Sequence, residues 1–506
     1  MPAPDTMAPD TKPLDSSTLG HLPPAIIVPS YDRGAVRPGI AHLSVGNFHR
    51  AHQAVYIDRV LGQQDNAGWG ILGVGVMDDA RERAKAESLR AQDGLYTLTE
   101  CPADAPDTVR VIGSIVEYLH APDDRAAAIR RLADPAIRIV SLTVTEGGYY
   151  VDESGQFQID HPTIAEDLAR DVPHTVFGLA TEALRLRRDS GAGPFTILSC
   201  DNLPHNGHVA RTAFLSWARA RDADLAAWVE AHVTFPCTMV DRITPAVRDP
   251  DIARLDAASG IADRAPVFCE DFIQWVVEDT FCAGRPPLEQ VGVLFTGDVA
   301  PYERVKLRML NASHSMLGLP GVLMGYRIVS DIMHNPDVIE LLERYLGLDA
   351  EPLLQAPPGM ELHEYGALLL RRFRNQAISD QLLRIASDSA SKLPVFVRDT
   401  AEGTLARGGD AARIAFLLAC FAEYLRGRDD NGAAYSVTEP HLGPDDLTLA
   451  GDADSARALD MSVFAGWGLR DHPDFVALFV RTRAAIRAGG TRATLHTLVT
   501  EADKAA

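Results

Sequence analysis

Between about residues 39 and 295, short apolar runs rich in β-branched side chains alternate with stretches of helical period. IAHLSV, WGILGVGV, IRIVSLTV, FTILSC and HVTFPCTMV read as strands, and AHQAVYIDRVL, DDARERAKAESLRA, TVFGLATEALRLRR and GHVARTAFLSWARARD as helices. Such alternation predicts an α/β domain with a mainly parallel sheet over residues 1–297, its first 24 residues a loose tail. From about residue 298 the strand signals nearly vanish. VIELLERYLG, YGALLLRRFRN, AARIAFLLACFAEYLRG and FVALFVRTRAAIRAGG all carry helical period, so a mostly α-helical domain is expected over 298–506. No internal repeat is visible. Binding sites favour the crevice between domains, and an active site is expected in that cleft.

One helix opens the second domain with polar groups where apolar ones belong. In YERVKLRMLNASH, Pro301 suits the first turn and Pro320 lies near the end. With Lys306 at zero and about 100° per residue, Glu303 falls at about 60°, His314 at about 80° and Asn311 at about 140°. Leu307 and Leu310 share the arc. A partly buried salt bridge with hydrogen-bonded neighbours would explain this face, and so would a proton-transfer site.

Composition narrows the classes. A hydrophobic content of 46% with 23% charged residues is that of a globular chain rather than a disordered one. The formal net charge of −21, with no clustered basic stretch, argues against a nucleic-acid partner. The six cysteines are scattered without a C-x-x-C pair, which fits free thiols of a reducing compartment better than a disulfide framework or a structural zinc site. The N-terminal stretch, rich in proline and acidic residues, lacks the apolar core of a signal peptide, and runs such as IAFLLACF are too short for a bilayer. A cytoplasmic protein with no membrane partner is expected.

The first strand and helix, GIAHLSVGNFHRAHQAVYIDRVL, have the parts of a dinucleotide site: a strand, a tight turn at Gly46 and an immediate helix. Backbone N–H groups of Gly46, Asn47 and Phe48 would receive the pyrophosphate. The match to G-x-G-x-x-G is poor, with Ser44 first, Gly46 second and His49 third, and an ordinary strand-to-helix turn would read much the same. After the second strand, Asp78 or Asp79 is placed to accept the adenosine ribose hydroxyls and to repel the 2′-phosphate of NADP, although either residue would also serve as a helix cap. Together these features point to NAD.

Oxidising a secondary alcohol by hydride transfer needs a base for the hydroxyl proton and donors for the developing alkoxide. Zinc often polarises that oxygen, but the best histidine pair here, His205 and His208, lacks a third ligand at suitable spacing, so no metal is expected. Lys306, buried among leucines, is the candidate base, Asn311 an alkoxide donor and His314 an orienting group. Glu303 makes sense as a relay to water, because a permanent ion pair would hold the proton on the lysine. Tyr302 and Lys306 also spell the Y-x-x-x-K pair of short-chain dehydrogenases, enzymes about half this length whose pair lies inside the nucleotide-binding domain.

K-x-x-x-x-N-x-x-H, as Lys306, Asn311 and His314, resembles the signature of the polyol-specific long-chain dehydrogenases, the mannitol dehydrogenase family. VGNFHRAHQAVYID, TEGGYY, SCDN, FPCTMVDRITP and SDQLLRIASDSASKLPVF resemble further blocks of that family, in its order, over about residues 39–400. The resemblance implies a Rossmann-like domain followed by a helical one, NAD as cofactor and metal-free chemistry on a polyol or ketose. It implies Lys306 as general acid/base, Asn311 and Asn202 as the oxyanion hole, and Glu303 in proton release. It further implies His314, Asp241, Arg384 and Lys392 as holders of the polyol hydroxyls. For those outside the helix, a simple Asp241–Arg242 pair and a solvated face at Arg384 and Lys392 are the plain alternatives. The blocks look most like the branch that interconverts D-mannitol and D-fructose. Arabinitol dehydrogenases and fructuronate reductases are alternatives within the family, and a catalytically silent nucleotide-binding regulator is one outside its chemistry. A monomer or small homo-oligomer is expected.

Overall fold

A computed structural model describes residues 12–152 and 154–501, and the chain divides into two compact units after Ala300. In the N-terminal unit five strands form a wholly parallel sheet. Their spatial order is Ile115–His120, Gly70–Gly75, Pro38–Leu43, Ile139–Leu142 and Thr196–Ser199. In chain order this is 3-2-1-4-5, the doubly wound arrangement of dinucleotide-binding domains. Four of these strands are buried along their whole length, as parallel strands covered on both faces must be. Alternate side chains serve separate cores. Ile40, Ile71 and Ile139 pack with Val55, Tyr56 and Val60, whereas Ala41, Leu43, Leu72 and Val140 pack with Phe177, Leu184 and Phe214.

The remaining strand, Ile115–His120, was not among the apolar runs read as strands. It is an edge strand, so it carries Glu117, ion-paired to Arg131 at 2.8 Å, in place of an unbroken apolar run. The unit also holds two three-stranded sheets, one of them ending on Thr238–Asp241 paired antiparallel with Gln274–Glu278. Of the tail expected over 1–24, residues 1–11 lie outside the described residues. Lys12–Pro13 pairs with Ile261–Ala262, and Leu14 is buried against Leu95, Val111 and Ile261.

The C-terminal unit is helical. Ala412–Tyr424, which contains IAFLLACF, is buried from Arg413 onward and lies at the centre of the unit's core. Pro473–Gly489 and Ala312–Leu323 pack against it. Among the described residues no helix is long and apolar enough to cross a membrane. All six cysteines are free thiols, five of them buried.

Candidate active site: a nucleotide turn and a lysine wall

In a doubly wound sheet the ligand crevice lies beyond the C-terminal ends of the strands where the order reverses, here between Pro38–Leu43 and Ile139–Leu142. Both following turns hold a non-glycine residue in left-handed backbone, Ser44 at φ 70° and Thr145 at φ 67°. They are tied together, since Thr143 Oγ1 donates to the Ser44 carbonyl at 3.0 Å. The 144–149 loop hangs on one buried carboxylate: Asp201 accepts from Val144 N and Thr145 N, both at 2.9 Å, and from the Tyr149 hydroxyl at 2.7 Å. Asp201 sits in the SCDN block, but sequence reasoning passed it over for its neighbour.

Gly46 has φ −95°, which any residue adopts, and a Cβ there would meet nothing within 4 Å. Neither backbone strain nor protein packing requires glycine at this turn. Its value is the open space in front of the helix Asn47–Ala51, which fits close approach by a pyrophosphate. The side chain of Asn47 is engaged by Arg50 at 2.7 Å, and Phe48 packs on the core and stacks on His52 at 5.0 Å. Both residues leave backbone N–H groups at the helix start for a ligand. His49, at the place of the third glycine, does the packing work of that glycine differently. Its ring stacks on His42 of the first strand, centroids 3.5 Å apart. Burial pushes both imidazoles down, His42 to about 3, so the stack is neutral.

The acidic pair after the second strand separates cleanly. Asp79 caps the helix Ala80–Ala91, accepting from Arg81 N and Glu82 N at 2.9 Å each. Asp78 is left exposed, paired with Arg83 at 2.8 Å. Asn206 joins the loop after Thr196–Ser199 to Thr238–Asp241 through Thr238 N and O at 2.9 Å each. Asn202 lies in that loop. Asp241 is buried at the end of its strand. Arg242 gives its guanidinium to Glu100 at 2.6 Å and to the Ala51 and Glu270 carbonyls.

In the C-terminal unit the helix that opens the domain is not α throughout. The helix is α over Ala300–Val305, π over Lys306–Asn311 and α again over Ala312–Leu323. A π turn absorbs one extra residue, which sets everything beyond it back by roughly 100°. Asn311 moves from about 140° to about 40° from Lys306, and His314 from about 80° to about −20°. The awkward spacing i, i+5, i+8 becomes the single stripe i, i+4, i+7, with Glu303 at i−3 extending it backwards. The sequence pattern spreads these residues over too broad an arc, because it assumes an unbroken α-helix.

Glu303, Lys306, Leu307 and Leu310 are buried, and His314 lies 4.7 Å from the Phe373 ring. Asn311 keeps a buried Oδ1 without a hydrogen-bond partner among the described residues. Tyr302 turns its hydroxyl to the Pro358 carbonyl at 3.0 Å. The helices Leu382–Ala386 and Ser389–Phe396 pack against this one. Glycines allow the close approach: a Cβ on Gly318 would come within 2.8 Å of Ile385 Cγ2, and on Gly321 within 2.7 Å of Ile332 Cδ1. Arg384 projects from the first helix, held by buried Asp380 at 2.6 Å. Lys392 Nζ donates to the Ile385 and Ser387 carbonyls at 3.1 and 2.6 Å. Among the described residues no group of three His, Cys, Asp or Glu is placed to hold a metal ion.

Comparisons with known proteins identify the family and match the fold. The Mannitol dehydrogenase Rossmann domain matches residues 38–290, and the Mannitol dehydrogenase C-terminal domain matches residues 298–487. The chain belongs to the mannitol dehydrogenase family. It is 47% identical to the polyol:NADP oxidoreductase of Gluconobacter oxydans over 94% of this chain and 99% of that one. It is 45% identical to the mannitol 2-dehydrogenase of Cereibacter sphaeroides over 82% and 86%. The mannitol 2-dehydrogenase of Pseudomonas fluorescens, solved as a ternary complex with NAD and D-mannitol, superimposes with a TM-score of 0.89 at 43% identity, covering 97% and 100% of the two chains.

Proposed function

We propose that this oxidoreductase is an NAD-dependent mannitol 2-dehydrogenase that interconverts D-mannitol and D-fructose, with Lys306 as its general acid/base. The observation that carries the reading is the stripe of Glu303, Lys306, Asn311 and His314 gathered on one helix face by the π turn. NAD supplies one piece of chemistry, uptake of the hydride from C2 of the polyol. Gly46, the backbone N–H groups of Asn47 and Phe48, and the Asp78 carboxylate would hold it. Neutral Lys306 takes the proton of the C2 hydroxyl as the alkoxide develops, and Glu303 passes that proton toward water. Asn311 and Asn202 donate to the alkoxide oxygen, where a preorganised donor is worth most. His314, Asp241, Arg384 and Lys392 hold the remaining hydroxyls. In ketose reduction each proton step runs backward.

NADP is the reading to test against, because a relative at 47% identity is named for it. Asp78 supports NAD, since its exposed carboxylate, although paired with Arg83, would meet the 2′-phosphate with repulsion. The free thiols support a cytoplasmic setting, and we read the protein as a monomer or small homo-oligomer. Steady-state kinetics with D-mannitol, D-sorbitol and D-arabinitol, each with NAD and NADP, test the whole reading. D-mannitol with NAD should give the highest kcat/KM, and activity should survive prolonged EDTA. Equal efficiency with NADP would remove the cofactor assignment. Intact NADH binding without turnover on any polyol would leave a silent regulator.

A further inference from the structure

A π turn inside a packed helix does not hold itself open. Winding back to α would restore the usual N–H(i) to C=O(i−4) ladder, and a bypassed carbonyl in the interior needs another donor. Here Ala312 N–H bonds the Leu307 and Met309 carbonyls and passes over the Arg308 carbonyl between them. The Arg308 carbonyl accepts instead the hydroxyl of Tyr345, at 3.0 Å. Tyr345 is fully buried at the start of a second π stretch, Tyr345–Ala350, and its ring belongs to the core of the C-terminal unit. Burial pushes its phenol far up, so the hydroxyl stays a donor at any working pH.

We propose that Tyr345 is a positioning residue, whose hydroxyl holds the π turn open and so keeps Asn311 and His314 in phase with Lys306. The inference rests on the catalytic reading of Lys306 and Asn311 given above. Without the hydroxyl, the Arg308 carbonyl is best satisfied by Ala312 N–H, which is the α form. That rewinding swings Asn311 away from Lys306 by roughly 100°.

Tyr345→Phe deletes the donor and keeps the ring. In the full-length enzyme with D-mannitol and NAD, kcat should fall on the order of 10-fold while the NADH dissociation constant holds. In an Asn311→Ala, His314→Ala background the same change should cost less than about twofold, because the groups it positions are gone. Deleting Arg308 in the Tyr345→Phe chain removes the surplus residue and lets the helix close as α with the stripe intact, so most of the lost turnover should return. Unchanged kcat in Tyr345→Phe, equal losses in both backgrounds, or a folded deletion variant without recovery would each overturn the proposal. A Tyr345→Phe chain that loses its thermal unfolding transition would do so too, since the hydroxyl would then serve the core rather than the site. If Lys306→Ala and Asn311→Ala were fully active, the catalytic reading itself would fail; if they are crippled and Tyr345→Phe is not, only this inference does.

Discussion

The two units build their functional groups by opposite means. In the N-terminal unit the turns are strained: parallel strands lead into turns at Ser44 and Thr145, both with positive φ, and Asp201 with Thr143 holds the loops in place. In the C-terminal unit, among the described residues, no positive-φ turn flanks Lys306, the proposed acid/base. The helix itself is irregular there, and the irregularity aligns the side chains. A cofactor bound largely through backbone calls for shaped backbone, whereas proton transfer calls for side chains in register. Changes in one unit should therefore touch cofactor handling, and changes in the other the chemical step.

The sharpest test of that division is Lys306→Ala, which should lose roughly 10²–10⁴-fold in kcat while NADH binding, read by fluorescence titration, stays intact. A large rise in the NADH dissociation constant would break the comparison. Asn311→Ala should lose on the order of 10²-fold, again in kcat. Tyr302→Phe should keep activity to within about twofold, because its hydroxyl is committed to the Pro358 carbonyl. On the other side, Asp78→Ala should move the NAD/NADP ratio of kcat/KM by about 10-fold toward NADP, as removing a charge repulsion of about 1.4 kcal/mol would. Asp79→Ala should leave that ratio alone and cost about 1 kcal/mol of stability by uncapping Ala80–Ala91. Ser44→Gly should add about 1 kcal/mol in thermal melts, by relieving left-handed backbone at a residue with a Cβ.

The smallest effect is one of pH. Burial raises Glu439 to about 7, against the pull of Ser389 N and Ala390 N, each 2.9 Å from its carboxylate. A carboxyl that holds its proton more tightly folded than unfolded adds stability below its unfolded pKa, and that contribution is lost as pH rises through about 7. Melting temperature should therefore fall more between pH 5 and 8 in the native chain than in Glu439→Gln. Parallel slopes would remove Glu439 as the cause.

Most of the α/β unit was legible because its strands are buried on both faces and read as apolar runs, as in Gly70–Gly75 and Ile139–Leu142. Ile115–His120 escaped for the converse reason, being an edge that needs Glu117 and His120 as much as Ile115. In the site, residue types were legible and geometry was not. Lys306, Asn311 and His314 stood out as polar groups among leucines. The turn that aligns them depends on a tyrosine 37 residues further on, and no local pattern announces such a contact. Asp380, which holds Arg384, and Asp201 were missed similarly, since a buried carboxylate and a surface one look alike in sequence.

The π turn also bears on how relatives of this chain should be recognised. A helix that ran unbroken would present the same wall with one residue fewer, as K-x-x-x-N-x-x-H. Two enzymes could then share every contact to substrate and differ by one position in their signature. An alignment that forbids gaps inside helices would pair Asn311 with the wrong neighbour and score the shorter chain as lacking its oxyanion donor.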